Sequence, residues 1–322
     1  MAELKERTPS LLPDESNQAT PPKKGGGGNL WSKIAAVCSA AALMVSCATL
    51  FLVLNPAADR PEEDSPESVQ SRTAQAGVAV QYRDRQLPVL EGVALNQYDT
   101  ACFGVEDNGW LSYVVDGERA KVGVDVSAYQ GEIDWDKVAG SGVEFAMIRC
   151  GYRGYSKGVI VADKTFEQNI QGALDAGLEV GVYFFSQAID TWEAREEAAY
   201  VLEAIEGYEL TYPVVFDWEF IAENSQARTN GMEAVEVTNC AGVFCDMVAE
   251  AGYTPMVYFN QDAGYLTYQL DELDQYGFWL AEYDTTPSFY YHFDLWQYTH
   301  RGSVPGIKGS VDLNLDFRNL NT

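Results

Sequence analysis

The stretch Tyr212-Pro-Val-Val-Phe-Asp-Trp-Glu-Phe220 places two acidic residues at the end of an apolar run. An apolar run of this length predicts a buried β-strand. Side chains on a strand alternate between its two faces, so Asp217 and Glu219 are expected to point the same way. Crowding and partial burial would raise the pKa of one carboxyl group, which could then donate a proton while the other stays ionised. Cleavage of a glycosidic bond needs that division of roles, whereas two solvated acids in a loop are the simpler alternative.

From Lys121 onward, apolar strand-like runs alternate with helical patterns on both sides of this stretch. The candidate strands are Val122–Ser127, Phe145–Tyr152, Glu179–Ser186, Pro213–Glu219, Thr254–Asn260, Phe278–Asp284, Asp294–Thr299 and Val311–Phe317. The helical patterns are Trp135–Ala139, Thr165–Ala176, Glu193–Ile205, Asn230–Ala251 and a short one near Asp262–Gln269. This alternation predicts an α/β fold with a parallel sheet. Eight strands in about 200 residues predict a closed TIM-like barrel in which the last helices are missing or short.

Acidic residues recur near the predicted strand ends. Asp125 lies on the first strand, Asp217 and Glu219 on the fourth, and Asp312 at the start of the eighth. Function in such barrels gathers at the carboxyl ends of the strands, so the four acids are expected to line one cleft. Alternatively, Asp125 or Asp312 could cap a turn or pair with Arg149.

Aromatic residues accompany the acids in or beside the predicted strands. They are Tyr129, Trp135, Tyr152, Tyr183, Phe185, Trp218, Tyr258, Trp279, Tyr283, Trp296 and Tyr298. Sugar rings pack their C–H faces on aromatic rings, and phenol groups supply hydrogen bonds. Tyr183, Tyr258 and Tyr283 lie near strand ends and could line the cleft, whereas Trp279 and Phe185 are expected in the barrel core.

Residues 34–54 form an uncharged run of about 21 positions, long enough for a helix to cross a bilayer. Lysines precede the run and acidic residues dominate the segment after it, so the N-terminus is expected in the cytoplasm and the catalytic domain outside the cell. A cleaved signal peptide fits less well, because about 33 polar residues come first. A lipoprotein cleavage site at Val45-Ser46-Cys47 is a weaker alternative, because the run continues beyond it.

The chain therefore divides into a membrane anchor and a catalytic domain. Residues 1–33 are predicted to be a disordered cytoplasmic tail and 34–54 a transmembrane helix. Residues 55–85 are predicted to be a flexible extracellular stalk. Residues 86–120 are predicted to be a short β-hairpin or linker region, which either packs on the next domain or belongs to the linker. Residues 121–322 form the predicted barrel.

The composition excludes several classes of partner. The formal net charge of −27 argues against nucleic acid, because phosphate binding needs Lys and Arg. The sequence has no signature of a metal site. Its two histidines are not at the spacing of metal ligands, and none of its six cysteines forms a Cys-x-x-Cys pair. We therefore expect no metal and no cofactor.

The barrel region resembles the glycoside hydrolase family 25 lysozymes. The motifs that carry the resemblance follow the family order over about 122–317. They are Val122-Gly-Val-Asp-Val-Ser-Ala-Tyr-Gln-Gly131, Ile133-Asp-Trp135, Phe145-Ala-Met-Ile-Arg149, Asp175-Ala-Gly-Leu-Glu-Val-Gly-Val-Tyr-Phe-Phe-Ser186, Pro213-Val-Val-Phe-Asp-Trp-Glu219, Trp279-Leu-Ala-Glu-Tyr283, Trp296-Gln-Tyr298 and Val311-Asp-Leu-Asn314. The resemblance implies an irregular (β/α)5(β)3 barrel, which agrees with the strand count above.

The resemblance also implies an activity, namely hydrolysis of the β-1,4 bond between N-acetylmuramic acid and N-acetylglucosamine in peptidoglycan. Glu219 is similar to the family's general acid, and Asp217 to the carboxylate that assists the substrate acetamido group or stabilises the transition state. Asp125 and Asp312 correspond to the other two acids of the cleft. The predicted substrate-binding residues are Tyr183, Tyr258, Tyr283, Trp296, Gln297 and Arg149. A monomer is expected, and the stereochemical route stays open.

Two other functions are compatible with a barrel of this kind. A catalytically silent barrel could bind the cell wall as a tether, although all four acids are present. A chitinase-like glycosidase also uses acids at the end of a fourth barrel strand, but within a longer Asp-rich stretch than Phe216-Asp-Trp-Glu219.

Overall fold

The computed structural model describes residues 73–75, 77–221 and 224–320. The predicted cytoplasmic tail, the predicted membrane span and residues 55–72 of the predicted stalk lie outside the described residues. Within the ranges that are described, no helix is both long and apolar enough to cross a bilayer.

Two small antiparallel sheets precede the barrel. Strands β1 (Ala79–Tyr82) and β2 (Arg85–Pro88) form a hairpin. The second sheet contains β3 (Phe103–Val105), β4 (Leu111–Val115) and β5 (Glu118–Arg119), with β4 in the centre. A 3-10 turn at Thr100–Cys102 leads into β3. The β4–β5 pair of this sheet is a short hairpin within region 86–120, where a hairpin was predicted.

A larger sheet closes on itself to form the predicted barrel. Its strands in spatial order are β6 (Lys121–Val126), β7 (Phe145–Arg153), β9 (Glu179–Ser186), β10 (Val214–Trp218), β11 (Pro255–Asn260), β12 (Gly277–Ala281), β13 (Leu295–Gly302) and β14 (Val311–Asp316), and β14 returns to β6. A short extra strand, β8 (Ile160–Ala162), pairs with the end of β7.

A helix follows each of the first five barrel strands. These helices are α1 (Trp135–Gly140), α2 (Phe166–Asp175), α3 (Thr191–Ala204), α4 (Ala234–Glu250) and α5 (Gln261–Leu266). Short 3-10 turns occur at Ala128–Gln130 and Leu270–Glu272. The connections at 282–294 and 303–310, which join the last three strands, contain no helix. Barrel closure and the shrinking of the last connections agree with the prediction.

The direction of the last strand differs from the predicted parallel sheet. β14 is antiparallel to both of its neighbours, β13 and β6. The reason is the short connection before it, because a parallel return needs a crossover of a dozen or more residues. The reversal has a functional consequence, since it brings the start of β14 to the end of the barrel where β6 finishes. Asp312 consequently pairs in register with Asp125.

The inward-facing side chains change from apolar to polar along the strands. Phe145 and Met147 on β7, Met256 on β11 and Trp279 on β12 belong to one buried cluster inside the barrel. On β10, Val215 belongs to the same cluster and is followed two positions later by Asp217. Polar groups therefore lie above an apolar floor, at the carboxyl ends of the strands. Trp279 is a core residue, as predicted.

Residues before the barrel cover its helix-free side. Phe103 packs edge-on against Trp296, with ring centroids 5.5 Å apart. Tyr98 stacks on Phe317 at 4.2 Å, and Tyr113 meets the same ring at 5.3 Å. These outward-facing aromatic side chains would be covered by helices in a regular barrel. The small β3–β5 sheet thus takes the place of the missing helices.

The packed domain consequently begins earlier than predicted. Ala74 and Val93 belong to the same core cluster as the barrel strands, with Val80 packed against it. The Tyr82 hydroxyl donates to Asp262 at the start of α5 over 2.9 Å. Residues 73–75 and 77–85, predicted as the end of a flexible stalk, are thus part of the domain, because Ala74 and Val80 pack with its core cluster. Region 86–120 packs on the domain as well, which was one of the two predicted alternatives.

Candidate active site

Four acidic residues converge at the mouth of the barrel. Asp125 near the end of β6 and Asp312 at the start of β14 are register partners. Asp217 lies near the end of β10, and Glu219 follows that strand. Asp125 is 6% exposed, Asp217 5% and Asp312 8%, and Glu219 is half-buried. Elsewhere in the described ranges, as here, no three His, Cys, Asp or Glu side chains are placed to hold a metal ion.

Asp125 is held by two side-chain amides. Its Oδ2 accepts a hydrogen bond from Nδ2 of Asn314 over 2.8 Å and one from Nε2 of Gln297 over 2.9 Å. Burial raises the pKa of Asp125 to about 6, while the hydrogen bonds from Asn314 and Gln297 act in the opposite direction. Desolvation therefore exceeds the stabilisation that neutral amides give to the carboxylate.

Asp217 and Asp312 are more strongly perturbed than Asp125. Burial, followed by the negative charges of Glu219 and Asp125, holds the pKa of Asp217 well above its usual range. Burial, followed by the charges of Asp125 and Glu219, does the same for the pKa of Asp312. The Oδ1 atom of Asp217 is buried without a hydrogen-bond partner, so nothing compensates its ionised form at that atom. The pocket therefore favours retention of protons at pH values where an exposed carboxyl group would be ionised.

Gln297 connects the acids to two tyrosines. Its Nε2 donates to Asp125, and its Oε1 accepts from the hydroxyls of Tyr258 over 3.1 Å and Tyr283 over 3.0 Å. Gln297 is itself buried, so both ends of its amide are occupied within the protein. It therefore orients Asp125, rather than presenting an unoccupied amide for substrate as predicted.

The three predicted cleft tyrosines all lie at this pocket. Tyr258 is buried against Trp279, with ring centroids 4.9 Å apart. Tyr183 lies beside the acids, whose charges raise its pKa after the larger effect of burial. Tyr283 is 38% exposed at the rim and packs on His300 at 4.6 Å. Of the three rings, Tyr283 is the most accessible to a bound sugar.

The prediction that Trp296 binds substrate is wrong. Its side chain is completely buried on the outer side of the barrel, against Phe103. Its indole Nε1 donates to the carbonyl of Glu282 over 2.8 Å. Side chains on a strand alternate, so Gln297 points to the pocket and its neighbour Trp296 points away. Trp296 is therefore a core residue beneath the small β3–β5 sheet.

Arg149 supplies positive charge to the pocket without being available for direct recognition. Its Nε and Nη2 donate to Oδ2 of Asp163 over 2.9 Å and 2.8 Å, and both side chains are buried. The guanidinium also lies over the rings of Tyr129 and Tyr152, at 5.3 Å and 5.5 Å from their centroids. Its charge lowers the pKa of Asp217, against the larger raising effects. The alternative pairing of Arg149 with Asp125 or Asp312 is replaced by the pair with Asp163.

Two functional neighbours were not predicted as site residues. Asn314 donates to Asp125, and its Oδ1 accepts from the indole of Trp279 over 2.8 Å. Its position two residues after Asp312 on one strand was a usable signal, because such residues share a face. Asp163 had no such signal, since it lies beyond β8 and reaches Arg149 only through the fold.

The fold and the pocket define a TIM-like barrel whose mouth is lined by carboxyl groups, an arrangement typical of glycoside hydrolases. Residues 124–307 match the sequence profile of the glycosyl hydrolases family 25. The match covers more than half of the chain, which therefore belongs to this family.

Three known proteins illustrate the similarity. The autolytic lysozyme of Clostridium acetobutylicum is 28% identical over 197 residues, which are 60% of this chain and 54% of the relative. The structure of a family 25 glycosyl hydrolase from Bacillus anthracis superposes with a TM-score of 0.54 at 28% identity, covering 65% of this chain and 94% of that one. The modular autolysin LytC from Streptococcus pneumoniae, solved with a synthetic peptidoglycan ligand, gives a TM-score of 0.53 at 26% identity, covering 66% and 51%. The chain thus spans about half the length of the Clostridium and Streptococcus proteins.

Proposed function

We propose that this chain is a peptidoglycan hydrolase, a muramidase that cleaves the β-1,4 bond between N-acetylmuramic acid and N-acetylglucosamine. The observation that carries the proposal is the pair formed by the buried Asp217 and the half-buried Glu219, which lies with two further acids at the mouth of a family 25 barrel. A lysozyme among the relatives and a neighbour solved with a peptidoglycan ligand support the choice of substrate.

The pair of Asp217 and Glu219 supplies both forms of a carboxyl group. The charge of Glu219 raises the pKa of Asp217, so the two neighbouring carboxyl groups resist simultaneous ionisation. With a proton on Glu219, its carboxyl group protonates the glycosidic oxygen while the C1–O bond breaks. A carboxyl oxygen of Asp217 accepts a hydrogen bond from the substrate acetamido N–H, or Asp217 stabilises positive charge at C1 in its ionised form. Water then adds to C1 and returns a proton to Glu219.

Asp125 and Asp312 are coupled to this pair by charge. The charge of Asp125 raises the pKa of Asp217, and the charges of Asp125 and Glu219 raise the pKa of Asp312. The same charges favour the oxocarbenium-like transition state, which carries positive charge on the sugar ring. Tyr283 at the rim offers a ring face to an adjacent sugar.

Glu219→Gln tests the assignment directly. The amide cannot donate an acidic proton, so clearing of purified cell walls by the full-length protein is expected to fall at least about 100-fold. Asp136→Asn, an exposed change on α1, is the matched control and should clear walls at the wild-type rate. Wall clearing by Glu219→Gln at the control rate would refute the role of the acid.

A mass spectrum of the fragments released by the wild-type protein identifies the bond. Muramic acid at the reducing end is the expected product. Binding to walls without clearing would favour the silent tether instead. Faster release of sugars from chitin than from peptidoglycan would favour the chitinase-like alternative.

We further propose that the domain is a monomer held on the outer face of the cell membrane by a single N-terminal helix at 34–54. The length of this uncharged run supports a membrane span, and the lysines before it and the acidic residues after it support the orientation. Because residues 73–75 and 77–85 belong to the packed domain, we shorten the proposed stalk to 55–72, and a flexible chain of that length has an r.m.s. span of about 24 Å. Cleavage would be confined to nearby wall layers, which suits remodelling. External protease should release the domain from intact cells, and its retention in the cytoplasm would contradict the proposal.

A further inference from the structure

Gln187 is a buried glutamine immediately after β9, outside the acid cluster. Its Nε2 donates to the main-chain carbonyl of Glu219 over 2.9 Å and to that of Ser186 over 2.9 Å. Its Oε1 accepts from the hydroxyl of Thr229 over 2.8 Å. Gln187 and Thr229 are both inaccessible to solvent, so water does not compete for these hydrogen bonds.

Two of the three partners of Gln187, Glu219 and Thr229, lie on one connection, at its start and near its end. Strand β10 ends at Trp218, and helix α4 begins at Ala234, so Glu219 is the first residue of the segment between them. We name the described residues of this segment, 219–221 and 224–233, the acid loop. One amide therefore joins the start of the acid loop to Thr229 near its end, and anchors both to the end of the adjacent strand.

A second attachment secures the far part of the acid loop. Arg228 forms a two-pronged ion pair with Glu193 on α3, with distances of 2.9 Å and 2.7 Å. Its main-chain N–H donates to the carbonyl of Tyr155 over 2.9 Å. These contacts hold Arg228 and its neighbours but do not reach Glu219. The hydrogen bond from Gln187 instead acts on the peptide group of the general acid itself.

We propose that Gln187 is a positioning residue: it links Glu219 to Thr229 by hydrogen bonds and fixes the position of the Glu219 main chain. This inference rests on the proposed muramidase function. The position of the Glu219 carboxyl group follows from its main chain, which lies beyond the last residue of β10. Proton transfer to the glycosidic oxygen requires hydrogen-bond distance, and a shift of about 1 Å can cost about 100-fold in rate. Gln187 touches neither substrate nor the reacting atoms in this scheme.

Gln187→Met removes all three hydrogen bonds with little change in side-chain length. In the full-length protein, kcat on soluble peptidoglycan fragments is expected to fall about 10- to 100-fold, with KM within about twofold. Thr229→Val removes only the hydrogen bond from Thr229 to Gln187 and should give a smaller loss of kcat. Thr238→Val is the matched control, because the buried hydroxyl of Thr238 accepts from the N–H of Gln269 away from the acid loop. This control should keep the wild-type kcat.

Gln187→Glu separates positioning from general structural support. A protonated glutamic acid can donate to the Glu219 carbonyl, whereas an ionised one cannot. Relative to wild type, its kcat should therefore be highest at low pH and decline toward that of Gln187→Met as pH rises. When kcat is calculated per folded molecule, with the folded fraction measured by circular dichroism at each pH, a role in stability alone predicts no such pH-dependent rescue.

The outcomes distinguish this inference from the proposed function. Inactivity of the folded wild-type protein on peptidoglycan would remove the proposed function. Wild-type activity together with an unchanged kcat in Gln187→Met, or an equal loss in Thr238→Val, would overturn the positioning role alone. If Gln187→Met fails to fold, Thr229→Val and the pH dependence of Gln187→Glu decide the matter in the same way.

Discussion

Replacement of Asp125 by Asn should stabilise the protein while it impairs catalysis. The pKa of Asp125 is raised from 3.8 to about 6 in the folded state. A shift of about two units corresponds to about 3 kcal/mol, at 1.36 kcal/mol per unit. The oxygen of an asparagine can still accept from Gln297 and Asn314, so the substitution removes the charge and keeps the hydrogen bonds.

The sign of the effect depends on pH. Below about pH 3.8 the carboxyl group is protonated in both the folded and the unfolded states, so ionisation adds no difference there. As pH rises from about 3.8 to about 6, the unfolded wild-type chain ionises before the folded one and is stabilised relative to it, because the folded pKa is the higher one. Asp125→Asn has no carboxyl group at this position and does not lose stability in this way. Its free energy of unfolding should exceed that of the wild type by at most about 3 kcal/mol near pH 7.5.

Urea unfolding of both proteins at pH 4 and pH 7.5 measures this difference, with wall clearing measured in parallel. In thermal unfolding the gain should reach about 6–12 °C, at about 2–4 °C per kcal/mol for a domain of this size. Asp134→Asn is a control of opposite sign, since its hydrogen bonds with Lys137 lower the pKa of the exposed Asp134 carboxyl group. A gain for Asp125→Asn that is equal at both pH values, or a loss at pH 7.5, would refute the reasoning.

Three further predictions concern the charge balance and the cover of the barrel. Arg149→Met combined with Asp163→Asn removes a charge that lowers the pKa of Asp217, so the pH–rate profile should move to higher pH by up to about one unit. Trp296→Ala should lower the free energy of unfolding in urea by about 3–5 kcal/mol, while the kcat of the folded fraction changes by less than about twofold. Deletion of residues 73–120 should expose the aromatic side of the barrel, giving a protein that binds hydrophobic dyes and sediments as aggregates, whereas a monodisperse product would contradict the covering role.

The barrel could be predicted from the sequence because its strands are apolar runs separated by clear helical patterns. For example, β9 occupies Glu179–Ser186 as predicted, and α2 at Phe166–Asp175 lies within the predicted helix. The reversal of β14 and the role of region 86–120 could not be predicted in this way. Both depend on the absence of helices after the last strands. That absence leaves the outward-facing side chain of Trp296 to be covered by another part of the chain, here by Phe103.

Alternation along strands explains which site residues could be predicted. Asp217 and Asp125 are inward-facing positions, so their convergence followed from closure of the sheet. Gln297 and Trp296 are adjacent, and only one of them can face the pocket; the motif alone did not distinguish them. Gln187 had no signal in the sequence, because its partners lie 32 and 42 residues further along the chain.

The pairing of Arg149 with Asp163 is decisive for the protonation of the acids in this pocket. A guanidinium paired directly with a carboxylate typically lowers its pKa by 1–3 units. If Arg149 paired with Asp217, the pair formed by Asp217 and Glu219 would give up its proton more readily. Asp163 prevents this by engaging both Nε and Nη2 of Arg149, while neutral amides hold Asp125. Because Asp163 engages the guanidinium, the lowering effect of Arg149 on the pKa of Asp217 stays smaller than the raising effects of burial and of the neighbouring acids, and Asp217 keeps a high proton affinity.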